Sequence, residues 1–297
     1  MITVVGATGG VGSLVARKLL AAGEQVRAIS RSADRLAQLT ALGAEPIVMD
    51  SVLDQDAMTR AFEGSIAAYT MAPPTGTNVA YDAVGAVMAE AAAAAGLTHV
   101  VNLSAFGAHQ PDATGHSRDY LLLESALNAV RGLNVLHLRP VFFMTSFYSW
   151  IDQILTRGEV RGLFRSDVPV PRIASSDMAD IAADALIRRD FAGQISRELQ
   201  GQRDLSMAEA AAIIGRAIGR PDLRYSQVSE EEWLASLVAR GISAEDAQHM
   251  NEMYTTWNRG VVVTAEPRSA LNTTPTTFET FVAEDFVPRY EAAKQAR

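Results

Sequence analysis

The residues best suited to chemistry in this chain form a glycine cluster, with four glycines among the seven residues from Gly6 to Gly12. Gly6, Gly9 and Gly12 have the spacing G-x-x-G-x-x-G. Glycine has no Cβ, so the backbone can turn sharply, approach a phosphate closely and pack a helix tightly on a strand. Free N–H groups at the start of the next helix can then bind phosphate oxygens. The motif predicts a binding site for a dinucleotide diphosphate; the alternative is a glycine-rich turn without a ligand.

A second candidate, Arg31, stands where such proteins usually distinguish between nucleotides. The segment Ala28-Ile29-Ser30-Arg31-Ser32 contains no acid, whereas NAD enzymes usually carry Asp or Glu about 20 residues past the glycines. A guanidinium forms paired, charge-assisted hydrogen bonds with a 2′-phosphate. Ser30 and Arg35 could assist it. The pattern favours NADP(H) over NAD(H), the alternative being that Arg31 is a solvated surface charge.

These residues need a strand–helix–strand unit to position them. Ile2–Val5 is an apolar run of strand length, Ser13–Ala22 has helical composition up to Gly23, and Gln25–Ser30 resembles a second strand. The alternation continues to about residue 140, which predicts an α/β fold with a Rossmann-type doubly wound parallel sheet. The further predicted strands are Glu45–Met49, Ile66–Met71, His99–Leu103 and Val135–Leu138, and the helices are Gln55–Glu63, Asn78–Ala95 and His116–Val130.

The pattern changes after Pro140, where large apolar residues crowd together from Val141 to Trp150. Such a cluster is typical of a core, or of a pocket wall at the carboxyl ends of strands. Ser206 and Ser229 each begin an S-x-x-E capping pattern, which predicts a smaller, mostly helical C-terminal lobe. Its expected helices are 206–218, 229–240 and 244–258. The predicted domains are an NADP-binding domain, 1–140 with 173–200 returning to it, and a substrate-binding lobe, 141–172 with 201–297.

Composition excludes several classes of function. The net charge of −8 argues against nucleic-acid or anionic-membrane binding, which needs basic patches. The chain has no cysteine, so a disulfide, a thiolate zinc site and a cysteine nucleophile are excluded. The histidines lack metal-ligand spacing, and no apolar stretch is long enough to cross a bilayer. We expect a cytoplasmic protein without a metal.

Two further segments lie at predicted strand ends. Asp50 and Ser51 follow the third strand, where they could meet an adenine edge, although Asp50 could also cap the helix that begins at Gln55. The segment Met71-Ala72-Pro73-Pro74 ends the fourth strand. Its prolines lack N–H groups and stiffen the turn, which suits a position beside a cofactor.

Together these features resemble the NmrA-like family of atypical short-chain dehydrogenases. The resemblance covers nearly the whole chain and rests on the glycine cluster, on Ser30-Arg31, on Asn102-Leu103-Ser104-Ala105, on Leu138-Arg139-Pro140 with Phe142-Phe143-Met144, and on Ser176-Asp177-Met178-Ala179-Asp180. The family includes NADPH-dependent quinone reductases and proteins that bind NADP(H) as redox sensors. The contacts to NADP(H) that the resemblance implies are Gly6, Thr8, Gly9, Gly10, Val11, Arg31, Asp50, Met71, Ala72, Ser104 and Pro140, and the predicted cofactor site also takes in Ser30, Arg35, Ser51, Pro73, Ala105, Phe142 and Phe143.

The expected catalytic residues lie on one predicted helix. Ordinary short-chain dehydrogenases use Tyr-x-x-x-Lys, whereas this chain has Tyr120 followed four residues later by Glu124. Those side chains share a helix face, and a nearby carboxylate would keep the phenol protonated. Tyr120 is thus a candidate proton donor, or a packed helix residue. His116 is another candidate donor, and Glu124 is either catalytic or a structural hydrogen-bonding carboxylate.

The resemblance and the missing lysine together predict an NADPH-dependent reductase of a quinone or another small conjugated carbonyl compound. Hydride addition to such a substrate gives a delocalised anion that needs little acid assistance. The alternative is a non-catalytic NADP(H)-binding redox sensor that contacts a partner protein, and an isomerase or lyase with a bound cofactor stays open. A homodimer is possible on this reading.

Overall fold

The computed structural model describes residues 1–73, 80–110, 116–261 and 263–297, without the side chain of His116. The chain divides into two compact units. Unit 1 comprises Met1–His109, Ser117–Pro140 and Ser175–Glu198, and unit 2 comprises Gln110–His116, Val141–Ala174 and Leu199–Arg297.

Unit 1 is built on a seven-stranded sheet whose strand order is β10-β6-β5-β4-β1-β2-β3. Strands β1 to β6 pair in parallel, as the alternation of strands and helices predicts. This confirms the Rossmann-type fold. The strands are β1 (Ile2–Val4), β2 (Val26–Ser30), β3 (Glu45–Val48), β4 (Ala67–Met71), β5 (His99–Leu103), β6 (Asn134–Pro140) and β10 (Gln194–Leu199).

The helices of unit 1 follow the strands in sequence. They are α1 (Gly10–Ala21), α2 (Ala33–Ala41), α3 (Gln55–Phe62), α4 (Tyr81–Ala94), α5 (His116–Asn128) and α7 (Ser175–Arg188). The predicted start of the fourth helix at Asn78 lies outside the described residues. Helix α7 packs on α1, where Lys18 pairs with Asp180. The core includes the fully buried side chains of Phe62, Tyr69 and Met88.

One predicted helix cap is wrong. Asp50 does not cap α3, because the N-cap is Asp54, whose carboxylate accepts a hydrogen bond from the Ala57 N–H at 2.9 Å. The sequence offers both acids before the helix. Only Asp54 stands immediately before the first helical residue, within reach of the unpaired N–H groups.

Unit 2 contains short strands and helices. The capping pattern at Ser206 forms a complete capping box with Glu209, and Ser229 accepts a hydrogen bond from the Glu232 N–H. The strands are β7 (Phe142–Phe143), β8 (Val160–Gly162), β9 (Val170–Ile173), β11 (Asp204–Leu205) and β12 (Tyr225–Gln227), and the α-helices are α6 (Ser149–Arg157), α8 (Met207–Ala217), α9 (Glu230–Ala239), α10 (Ala244–Asn258), α11 (Phe278–Phe281) and α12 (Val287–Gln295).

Two short sheets organise unit 2. Strand β9 lies between β7 and β11, and β8 pairs in parallel with β12. A 3₁₀-helix (Met144–Tyr148) leads into α6, and a π-helical turn (Val282–Phe286) joins α11 to α12. The three helices expected in the later part of the chain are present as α8, α9 and α10. Among the described residues, no helix is both long and apolar enough to span a bilayer.

Candidate functional site

The glycine cluster forms a tight turn between β1 and α1 in unit 1. Gly6 has φ +68°, a left-handed conformation that favours glycine. Its carbonyl accepts a hydrogen bond from the Gly9 N–H at 2.9 Å. A Cβ on Gly12 would lie 2.4 Å from the same carbonyl oxygen. Gly6 and Gly12 are therefore required by the turn itself.

The start of α1 has room for an anion. The N-cap is Gly9, which supplies no capping side chain, and the first turn contains no acid. The first-turn N–H groups have no partner within the helix, and the helix dipole favours negative charge there. A Cβ on the exposed Gly10 would meet nothing within 4 Å. Protein packing therefore does not explain a glycine at this position.

Side chains from β2 and α2 brace this turn. The hydroxyls of Thr8 and Ser30 are 2.8 Å apart, and Arg35 donates to the Thr8 carbonyl at 2.9 Å. Ser30 and Arg35 thus have structural partners in the turn. Arg31 is exposed, and within the described part of the chain its guanidinium has no hydrogen-bond or ion-pair partner. It is available to a ligand that carries negative charge.

The ends of β3 and β4 complete this edge of the sheet. A Cβ on Gly6 would lie 2.5 Å from the Met71 sulfur, so Met71 packs directly on the turn. Ala72 is buried, and the Pro73 carbonyl accepts a hydrogen bond from Tyr81 at 3.0 Å. Pro74 lies outside the described residues. Asp50 and Ser51 are exposed after β3, where Ser51 accepts a hydrogen bond from the Leu53 N–H at 3.1 Å.

Glu124 is held by a buried ion pair. Arg139 donates from Nε to Glu124 Oε1 at 2.8 Å and from Nη2 to Oε2 at 2.5 Å, and Ser104 Oγ donates to Oε1 at 2.5 Å. These groups come from α5, β6 and the residue after β5. Burial alone would raise the pKa of Glu124, but hydrogen bonds from Arg139 and Ser104 hold the pKa below its usual range. Glu124 is therefore a carboxylate at neutral pH, without a proton to donate.

A second polar chain crosses the interior of the sheet beside this pair. Thr70 donates to Asn102 at 3.0 Å, the Asn102 amide nitrogen lies 3.1 Å from His137 Nδ1, and His137 Nε2 lies 2.9 Å from Asn128 Oδ1. Burial lowers the pKa of His137 to about 4, and Arg139 acts in the same direction against Glu124. The imidazole is therefore neutral at physiological pH.

Tyr120 packs against another tyrosine rather than bonding to Glu124. Its ring meets that of Tyr81 edge-on, with centroids 5.3 Å apart. Burial raises the pKa of Tyr120, while a hydrogen bond with Tyr81 opposes the shift and Asp119 adds to it. The phenol is protonated, as the sequence predicts, but the main cause is burial and not Glu124, whose carboxylate is bonded to Arg139 and Ser104. The side chain of His116 lies outside the described part of the structure.

The remaining predicted contacts fall in both units. Ala105 and Pro140 belong to unit 1, where the Phe106 N–H bonds to the Pro140 carbonyl at 3.2 Å. Phe142 and Phe143 belong to unit 2. Phe142 is buried there against Phe164, with ring centroids 5.2 Å apart. Phe142 therefore packs in the core of unit 2.

Sequence reasoning did not single out Arg139 as a site residue. It is separated from Glu124 by 15 residues and lies on a different element, so no local spacing rule joins them. The available signal was an arginine at the end of a buried parallel strand, where a charge needs a partner.

Comparisons with known proteins show the family and the fold. A reductase from Streptomyces griseus, named (4-alkanoyl-5-oxo-2,5-dihydrofuran-3-yl)methyl phosphate reductase, is 33% identical over 81% of each chain. An NAD(P)H azoreductase from Xenophilus azovorans is 28% identical over 86% of each chain. The fold matches that of an NADPH-dependent quinone oxidoreductase from Escherichia coli solved with NADPH, with a TM-score of 0.82 at 22% identity over 96% of this chain and 100% of that one. The NmrA-like family profile matches residues 1–282, and the chain belongs to this family.

Proposed function

We propose that this NmrA-like protein is an NADPH-dependent reductase of a quinone or another small conjugated carbonyl compound. The observation that carries the proposal is the turn from Gly6 to Gly12 at an uncapped helix start. Its glycines leave the backbone N–H groups open to a diphosphate. The two reductases at 33% and 28% identity support the same assignment.

The residues of unit 1 fit a bound dinucleotide. The backbone N–H groups of Gly10 and Val11 would bind the diphosphate, since the Gly9 N–H is already bonded to the Gly6 carbonyl. Thr8 is held beside them by its hydrogen bond with Ser30. Asp50 is exposed at the end of β3, as a contact to the adenine edge requires. When bound, the nicotinamide cofactor supplies a hydride.

Arg31 supports NADPH as the preferred form of the cofactor. It follows β2, the segment from Ala28 to Ser32 contains no acid, and its guanidinium is unpaired among the described residues. A 2′-phosphate would give Arg31 charge-assisted hydrogen bonds, whereas a ribose hydroxyl offers a weaker partner. Arg35 is already bonded to the Thr8 carbonyl, so its contribution to the phosphate would be secondary.

The class of substrate is supported by the name of the Streptomyces relative. That name specifies a five-membered ring with a carbon–carbon double bond beside a ring carbonyl. Addition of hydride to such a system places the negative charge on an oxygen through conjugation, so the reaction needs only a weak proton donor. Tyr120 suits that role because its raised pKa keeps the phenol protonated. Glu124 would act as a positioning residue that orients Ser104 and Arg139.

The test is a reductase assay with the purified chain. We expect NADPH absorbance near 340 nm to fall when a panel of quinones and unsaturated lactones is added, faster than with NADH. Tyr120→Phe should lower kcat by up to about 10²-fold, the lower end of the range for general acid catalysis, because the conjugated anion needs only a weak proton donor. Glu124→Gln should lower both activity and stability, because Arg139 would lose its charged partner.

Tyr69→Phe is the matched control for the tyrosine substitution, since Tyr69 is a fully buried tyrosine on β4 that the proposal leaves out of the chemistry. If no member of the panel is reduced although calorimetry detects NADPH binding, the reductase assignment is wrong, and the NADP(H)-binding redox sensor is favoured over it. If neither NADPH nor NADH binds, both assignments are wrong.

A further inference from the structure

Unit 2 contains a cavity of about 600 Å³. Its wall is contributed by the 3₁₀-helix, α6, α8, α9, α10 and the strands β8, β9 and β12. The volume is in the range that small-molecule sites occupy. Its wall is rich in aromatic rings, which come from Phe147, Trp150, Phe164, Tyr225, Trp233 and Tyr254.

A buried cation, Arg172, belongs to the wall of this cavity. Its side chain is 2% exposed and its guanidinium carbon lies 4.8 to 5.3 Å from the centroids of Phe142, Phe147 and Phe164. Burial lowers the pKa of Arg172 to about 10, so it is charged at neutral pH. Cation–π contacts stabilise a buried guanidinium only in part.

Among the described residues, no protein anion balances Arg172. Its described partners are neutral: Nη1 donates to the Ser146 hydroxyl at 3.2 Å, and Nη2 contacts the Met207 sulfur at 3.5 Å. No carboxylate within the described ranges forms an ion pair with it. Buried charges in proteins are normally paired, so the arrangement suits a ligand that brings the negative charge.

Two buried N–H groups of the cavity wall have no acceptor among the described residues. They are Arg172 Nε and the indole nitrogen of Trp233. An unsatisfied buried donor costs about 1–3 kcal/mol. A ligand oxygen would satisfy either donor.

The other charges of the wall leave the cavity positive in a chain whose net charge is −8. Its two carboxylates already have arginine partners: Asp152 pairs with Arg297 and Glu232 with Arg161, each at 2.5 Å. Arg157, Arg172 and Arg240 also belong to the wall, and none of them forms an ion pair within the part of the chain that the structure describes.

We infer that this cavity binds an amphiphilic small molecule, with its apolar body against the aromatic rings and its phosphate or carboxylate group at Arg172. The inference deepens the proposed function. That the bound molecule is the substrate of a reductase rests on that proposed function. If that molecule is the substrate, the reductase acts on an anionic conjugated carbonyl compound, so the assay panel should include phosphorylated and carboxylated members beside the neutral quinones.

Calorimetry without cofactor tests this directly. Phenyl phosphate, benzoate and benzyl alcohol share one ring and differ in charge. We expect at least one of the two anions to bind the wild-type chain more tightly than the alcohol. Arg172→Met should weaken the binding of that anion at least about tenfold and change the binding of the alcohol by less than about twofold.

Tryptophan fluorescence checks that the anion binds in this cavity. Trp150 and Trp233, two of the chain's three tryptophans, belong to the cavity wall, so their fluorescence should change when the anion binds. Arg216→Met, on the exposed side of α8, is the matched control. If Arg172→Met does not fold, Trp233→Phe is the second variant. It keeps an aromatic side chain but removes the unpaired N–H, and it should weaken the binding of the anion in calorimetry.

The inference is wrong if neither anion binds, or if the alcohol binds as tightly as both anions. It is also wrong if anion binding is unchanged in folded Arg172→Met or in Trp233→Phe. These measurements omit NADPH, so their outcome is separate from that of the reductase assay. A chain that binds the anion but oxidises no NADPH would refute the proposed activity and leave the anion site standing.

Discussion

Protonation of His137 should lower the stability of the folded chain. Its Nδ1 faces the Asn102 amide nitrogen, so an added proton there would meet a donor. The pKa is about 4 in the folded chain against an ordinary value of 6.5. The unfolded state thus takes up the proton first, and the neutral form contributes stability above pH 6.5 that is lost as the pH falls towards 4.

We expect this loss to be roughly 3 kcal/mol. Urea unfolding of the wild type and of His137→Gln, followed from pH 7 to pH 4, measures it. The free energy of unfolding of the wild type should fall more than that of His137→Gln as the pH is lowered. His249→Gln, outside this hydrogen-bond chain, is the control, and parallel pH profiles for wild type and His137→Gln would contradict the prediction.

At the same scale, the sequence identified Tyr120 and Glu124 as candidates but not the side chains that each of them contacts. Glu124 was recognised as a candidate, and its structural reading as a hydrogen-bonding carboxylate agrees with its contacts to Arg139 and Ser104. Helical spacing places Tyr120 and Glu124 on one face but does not decide what each side chain bonds. The neighbouring strands supply a guanidinium that binds the carboxylate more strongly than a phenol can. The catalytic role of each residue stays a prediction.

At the scale of elements, Gly10 and Gly12 in the turn between β1 and α1 are glycines for different reasons. A Cβ on Gly12 would strike a backbone carbonyl, whereas a Cβ on Gly10 would meet nothing in the protein. Gly12→Ala should therefore lower the free energy of unfolding by about 1–3 kcal/mol. Gly10→Ala should leave it unchanged or raise it by up to about 1 kcal/mol, because alanine favours a helix.

The same pair should differ in cofactor binding. We expect Gly10→Ala to bind NADPH at least about tenfold more weakly in calorimetry, since the added methyl group lies where the diphosphate would meet the backbone. Denaturant unfolding of both variants provides the stability measurement. Full NADPH affinity in Gly10→Ala would place the diphosphate elsewhere.

The elements themselves were largely predictable up to residue 140. The strands and helices of unit 1 carry alternating apolar runs and glycine stops, which are local signals. The short strands of unit 2 were not predicted: β7 and β11 have two residues each. Segments of that length carry no periodicity, and they form only because β9 pairs with both.

At the scale of the whole molecule, cofactor binding should appear as stability. NADPH at about 100 times its Kd should add about 2.7 kcal/mol to the free energy of unfolding and raise Tm in a thermal scan. NADH at the same concentration should raise Tm less. Arg31→Gln should remove the difference between the two nucleotides, because it removes the partner of the 2′-phosphate.

Arg60→Gln on the exposed end of α3 is the matched control for this substitution. Equal Tm shifts by NADPH and NADH in the wild type would show that Arg31 does not select the phosphorylated form. The possible homodimer and the division into cofactor-binding and substrate-binding domains stay predictions.

The sequence by itself determined the Rossmann-type sheet, the glycine turn and the family, because each is recognised from short local segments that follow one another along the chain. Only the tertiary structure decided that Glu124 is held by Arg139 and Ser104, and that Arg172 is a buried cation with no carboxylate partner in the part of the chain that is described. Those facts depend on strand order and on the packing of distant segments, which fix the solvation and the partners of a charged group.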